Sequence, residues 1–147
     1  MTPEMTQRIN PGQPRASGAT HTMFELTVNT TFSAAHSLKG YPGDCRHIHG
    51  HNWQAAVCLR GEQLDELGLC MDFREIKRRI HSVTSELDHR LINDLQPFDR
   101  LNPSSENLAR HLFCKIREEF ADTPVNVVRV TVSESPDVSA AYFENQS

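Results

Sequence analysis

The stretch HNWQAAVCLR, residues 51–60, decides the fold class. Trp53, Ala55, Val57 and Leu59 fall at alternate positions, which is the period of a strand with one buried face. Upstream, MFELTVNTTFS (23–33) repeats that period through Phe24, Leu26 and Val28, and GYPGD (40–44) separates the two runs with residues that break regular structure. Two such runs predict an antiparallel pair. Downstream, after a turn at RGEQLDELG (60–68), the period changes. MDFREIKRRIHSVTSELDH (71–89) carries Ile76, Ile80, Val83 and Leu87 at helical spacing, with Asp72 and Glu75 as a variant capping box. NPSSENLARHLFCKIREEF (102–120) repeats the helical pattern through Leu108, Leu112, Ile116 and Phe120, with Ser104 or Ser105 near the N-cap. VNVVRVTVSE (125–134) returns to period two through Val128, Val130 and Val132, and SAAYF (139–143) offers a last short strand beyond the Pro136-Asp137 turn. The order ββααββ implies an α+β protein, an antiparallel four-stranded sheet with two helices on one face.

Composition limits what such a domain can do. With 147 residues the chain is long enough for one domain with a true core, and its 37% hydrophobic and 23% charged residues are those of a folded protein. A net charge of −4 leaves no basic footprint for nucleic acid or anionic membranes. No apolar run approaches a membrane span or a signal-peptide core, so a cytoplasmic location is expected. Residues 1–22, rich in Pro, Gly, Thr and Gln and without period, read as a disordered extension, leaving 23–147 as a single domain. The four cysteines, Cys45, Cys58, Cys70 and Cys114, are expected to be reduced thiols, and Cys45 alone has histidine-rich company.

That company is DCRHIHGHN, residues 44–52. Residues two apart on a strand share a face at about 6.6 Å, so His49 and His51 can converge on one ion, whereas His47 is about 13 Å from His51 along an ideal strand. A third ligand must come from elsewhere. His36 ends the first strand, and an antiparallel hairpin returns that end to the start of the second. His36, His49 and His51 therefore form the candidate ligand set for a zinc ion with an open coordination position. Cys45 suits either a fourth ligand of a closed site or a nucleophile or proton-transfer base.

The motifs FSAAH (32–36), CRHIHGHN (45–52), MDF (71–73), LDHRLIN (87–93), NPSSEN (102–107) and VTVSES (130–135) occur in this order. Together they resemble the 6-pyruvoyltetrahydropterin and 6-carboxytetrahydropterin synthase family, whose fold is the tunnelling fold. The resemblance runs from about Phe24 to Glu144. It implies zinc on His36, His49 and His51, a catalytic Cys45, and a catalytic Asp88–His89 pair in which the carboxylate orients the imidazole. It further implies that Glu134 anchors a pterin ring, with Ser104, Ser105 and Glu106 near the substrate, although a helix cap accounts equally well for the serines. Only three residues, RHI, separate Cys45 from His49. That spacing resembles the bacterial carboxytetrahydropterin synthases of queuosine biosynthesis more than the animal pyruvoyl synthases. The expected partner is a pterin triphosphate, the expected activity that of a zinc-dependent lyase, and the expected assembly a homo-oligomer with pockets between subunits. Ser135 and Asp137 stand where family members often carry other small polar residues, and His47 has no counterpart role.

Overall fold

The computed structural model describes residues 22–145. The expected N-terminal extension, apart from Thr22, lies outside the described residues. The chain runs β1 (Phe24–His36), β2 (His49–Gly61), α1 (Phe73–Thr84), β3 (Arg90–Leu91), α2 (Ser105–Glu119), β4 (Val125–Ser135) and β5 (Val138–Tyr142). The strands form one sheet in the order β3-β1-β2-β4-β5. α1 packs on β1, α2 packs on β4 and β5, and the helices pack on each other, so one face of the sheet is covered. Among the described residues no helix is long and apolar enough to cross a membrane.

The hairpin has the anticipated register. β1 and β2 pair antiparallel along their whole length, from Phe24 opposite Gly61 to His36 opposite His49. Val28 and Phe32 of β1 and Trp53, Ala55, Val57 and Leu59 of β2 point into the core, joined by Ile76, Ile80 and Val83 of α1 and Leu108, Leu112 and Ile116 of α2. Each fully buried aliphatic side chain of this set contributes about 1.5–3 kcal/mol.

Three details differ from the sequence reading. The sheet has five strands and is mixed: β3 pairs parallel with β1 at Ala34 and Ala35. Two residues are too few to show a period. Val128 is not one of the inward positions of β4, because the β2–β4 register shifts between Cys58 and Leu59, opposite Arg129 and Val127. The extra residue of this bulge turns Val128 aside, and the buried valines are 125, 127, 130 and 132. Finally, Asp72 is the N-cap of α1 and accepts from the Arg74 N–H, but Glu75 does not complete a capping box. It pairs forward with Arg78 and Arg79 instead.

All four cysteines are free thiols. Cys58 and Cys70 are buried packing residues, and burial, then Glu25, pushes the Cys58 thiol up to about 11.

Candidate metal centre

The paired ends of β1 and β2 carry the centre. His36 lies directly opposite His49, and His51 is the next residue of β2 on the same face. The ring centroids are 4.6 Å apart for His36 and His49, 4.8 Å for His49 and His51, and 5.1 Å for His36 and His51. Beneath them Trp53, fully buried, meets His36 edge-on at 4.8 Å and donates its indole N–H to the Ala34 carbonyl at 3.1 Å.

Backbone carbonyls only accept hydrogen bonds, and this settles two tautomers. His36 Nδ1 lies 2.7 Å from the Pro103 carbonyl, and His49 Nδ1 lies 2.7 Å from the His47 carbonyl. Both Nδ1 atoms therefore carry the proton, and each Nε2 keeps its lone pair. Nε2 of His36 and Nε2 of His51 are buried and have no hydrogen-bond partner among the described residues. Two orphaned imidazole nitrogens aimed at a common point are what a bound metal satisfies. His47, which had no role in the sequence reading, serves through its backbone.

A fourth donor completes the group. Ligand atoms of His36, His49, His51 and Glu134 all lie within 4.8 Å of one another. Glu134 Oε2 is 3.2 Å from His51 Nε2, off the axis needed for a hydrogen bond, and Oε1 accepts from the Ser105 hydroxyl at 3.2 Å. The sequence reading gave Glu134 to the pterin ring, and the structure places its carboxylate beside the imidazoles. Its position was readable, since Val130, Val132 and Glu134 alternate on β4 and so share the face on which His51 and Trp53 lie. Cys45 stands outside this four-residue group. Three nitrogens and one carboxylate oxygen form a donor set that suits zinc and related divalent ions.

Burial holds the His36 and His51 imidazoles below their ordinary value of 6.5; Pro103 partly opposes this at His36, and Glu134 at His51. The sign for stability follows. Above about 6.5 both rings are neutral in the folded and unfolded chain, and the metal-free protein has its full stability. Below that value the unfolded chain takes up protons first, and stability drains away until the folded rings titrate. The unfolding midpoint of the metal-free protein should therefore fall as pH drops from about 6.5. A calorimetric series should show it, and a flat midpoint across that window would mean that these rings are not desolvated.

The sequence profile of the 6-pyruvoyl tetrahydropterin synthase family matches residues 25–145. The chain belongs to this family. A putative 6-carboxy-5,6,7,8-tetrahydropterin synthase of Archaeoglobus fulgidus is 37% identical over 112 residues, 76% of this chain and 89% of its own length. The 6-carboxy-5,6,7,8-tetrahydropterin synthase of Synechocystis sp. is 34% identical over 126 residues, 82% of this chain and 94% of its own. The solved 6-pyruvoyl tetrahydropterin synthase of Caenorhabditis elegans superposes with a TM-score of 0.74 at 27% identity, covering 84% of this chain and 97% of that one. The tunnelling fold implied by the motifs is the fold of this tetrahydropterin synthase family member.

The remaining residues singled out by sequence occupy separate places. Asp88 and His89 form a pair, with His89 Nδ1 3.0 Å from Asp88 Oδ2. His89 adopts φ 59°, a left-handed conformation that side chains rarely take, and Ser33 holds it there. The Ser33 carbonyl accepts from the His89 N–H at 2.6 Å, and the Ser33 N–H donates to Asp88 Oδ1 at 2.9 Å. That N–H, then His89, keeps the Asp88 carboxyl below the usual carboxylate range. The two-residue β3 follows directly, which is why a strand too short to predict matters to the site. With 82% of its side chain exposed, His89 turns its free nitrogen outward. An open groove of about 510 Å³, lined by Ser33, Gly50, His51, Asn52, His89 and Arg90, runs between the metal cluster and this pair.

Ser104 is the N-cap of α2 and accepts from the Asn107 N–H at 3.2 Å, the cap that the sequence reading allowed for. Ser105 serves Glu134. Glu106 is exposed on the first turn of α2 and forms no ion pair among the described residues. Cys45 is half-buried in a short 3-10 turn, Asp44–Arg46, immediately before β2.

Proposed function

We propose that this protein is a 6-carboxy-5,6,7,8-tetrahydropterin synthase, a zinc-dependent lyase of queuosine biosynthesis. It would convert 7,8-dihydroneopterin triphosphate and water to 6-carboxytetrahydropterin, acetaldehyde and triphosphate. The observation that carries the reading is the convergence of three imidazoles, with the Nε2 atoms of His36 and His51 buried and without a partner among the described residues, in a chain whose relatives include two named for that product. The step from Cys45 to His49 through only Arg46, His47 and Ile48 supports the carboxy product.

His36, His49 and His51 would hold the zinc. When bound, it supplies Lewis acidity that makes the side-chain hydroxyls and adjacent C–H of the substrate easier to deprotonate. Cys45 acts as the base on the side chain. His89, oriented by Asp88, gives or takes protons at its outward nitrogen. Glu134, facing the imidazoles, lends the centre negative charge, and we assign the ring anchor to the unpaired carboxylate of Glu106. A carboxylate there accepts two hydrogen bonds from the 2-amino and ring N–H edge of a pterin. Holding the ring positions the side chain for reaction, the entropic share of catalysis. The active form is proposed to be a homo-oligomer.

Incubation of the zinc-loaded protein with 7,8-dihydroneopterin triphosphate, with products identified by mass, tests the reading. Carboxytetrahydropterin with acetaldehyde is expected. The second reading, elimination of triphosphate to 6-pyruvoyltetrahydropterin, draws support from the likeness to the C. elegans structure and would appear as a three-carbon side chain retained.

Glu134→Gln separates the two carboxylate roles. The charge facing the imidazoles is lost while shape is kept, so zinc affinity should fall about 10–100-fold, as for other groups that support metal ligands. Unchanged zinc affinity with weakened binding of neopterin would return Glu134 to the ring.

A further inference from the structure

Two asparagines in the quoted motifs have no part in the chemistry above. Asn93 ends LDHRLIN and Asn102 opens NPSSEN. Each places its carboxamide against the backbone of one residue in the segment leaving β1. The Ser37 N–H donates to Asn93 Oδ1 at 2.9 Å, and Asn93 Nδ2 donates back to the Ser37 carbonyl at 2.9 Å. The Lys39 N–H donates to Asn102 Oδ1 at 2.9 Å, and Asn102 Nδ2 donates back to the Lys39 carbonyl at 3.0 Å. Each amide thus reproduces the pairing that a neighbouring strand would give. Between the two clamped residues, the Leu38 N–H donates to the carbonyl of Cys45 at 2.8 Å.

The anchors are firm. Asn93 follows Ile92, which is fully buried. Asn102 precedes Pro103, whose carbonyl holds His36, and its own carbonyl accepts from Asn107 Nδ2 at 2.9 Å. Residues 37–48 otherwise contain only the Asp44–Arg46 turn, and GYPGD interrupts regular structure within them. Beyond the hydrogen bonds of its own turn, Cys45 is tied to the segment leaving β1 through Leu38, whose two neighbours are each held by an amide from a distant segment.

We infer that Asn93 and Asn102 are positioning residues that set Cys45 relative to the histidine cluster. The inference rests on the proposal that Cys45 is the base. A thiol carried on a loosened segment moves away from the proton it must take, and a displacement of about 1 Å can cost about 100-fold in rate.

The test uses the full-length, zinc-loaded protein with Asn93→Ala, Asn102→Ala and the double variant. Four quantities are followed: kcat, KM, zinc per chain, and the rate at which iodoacetamide alkylates Cys45, read by peptide mass. In the single variants kcat and kcat/KM should fall together by about 10–100-fold, zinc should stay, and the Cys45 alkylation rate should change by at least about threefold. Wild-type kcat and alkylation rate in the double variant would overturn the inference. So would a loss of activity that tracks zinc loss while Cys45 alkylates at the wild-type rate, because the asparagines would then only brace His36. If the alanine variants do not fold, Asn93→Asp replaces them: it keeps the acceptor for the Ser37 N–H and sets an oxygen against the Ser37 carbonyl. An altered Cys45 alkylation rate is expected there too, and an unaltered one counts against the inference. If the wild-type protein does not turn over dihydroneopterin triphosphate, the proposed function fails, yet the alkylation comparison still decides whether the asparagines position Cys45.

Discussion

Replacing His49 with alanine is expected to remove the metal and abolish turnover together. His49 Nδ1 is occupied by the His47 carbonyl, so the side chain's remaining nitrogen has no function in the fold. The residue is half-exposed at the first position of β2, where alanine continues the strand and leaves no large cavity. Losing one of three nitrogen ligands should weaken zinc binding by more than the about 10–100-fold that follows loss of an outer supporting group. Metal analysis after dialysis, with circular dichroism to verify the fold, checks this. Full zinc occupancy in the variant would sink the ligand assignment. His36→Ala is a poorer test, because His36 is 1% exposed and packed on Trp53, so its removal damages core and metal site at once.

Cys45→Ala should give the complementary result, with zinc retained and turnover lost. The thiol lies outside the group formed by the imidazoles and Glu134, so the metal keeps its donors. What disappears is a proton acceptor, and general acid–base groups typically contribute about 10²–10⁴-fold. A fall in kcat of that size, measured at unchanged zinc content, is the expected outcome. Departure of zinc with the thiol would instead indicate a closed structural site and remove Cys45 from the mechanism.

The helices and the central hairpin were legible in the sequence because each is governed by a local period. The histidine cluster was legible for the same reason: alternation placed His49 and His51 on one face, and the hairpin placed His36 opposite His49. What escaped has no local period. β3 is two residues long, and Val128 was misassigned because a bulge adds one residue to an otherwise regular alternation. Glu134 was visible as a strand-end charge, but its nearness to His51 depends on the pairing of β2 with β4. The brackets from Asn93 and Asn102 join residues 56 and 63 positions apart, and two polar side chains at such distances leave no trace in composition or spacing.

His36 belongs to the hydrophobic interior as much as to the metal cluster, since it is buried, stacked edge-on against Trp53, and tied to the carbonyl just before α2. An ion bound there binds the native chain and not the unfolded one, so occupancy and folding become a single thermodynamic cycle. Each tenfold increase in free metal above the dissociation constant then adds about 1.4 kcal/mol to the stability of the whole domain. On the proposed function, metal supply would therefore set both the stability and the turnover of this protein, and a chelator is expected to lower its unfolding midpoint toward that of the metal-free fold.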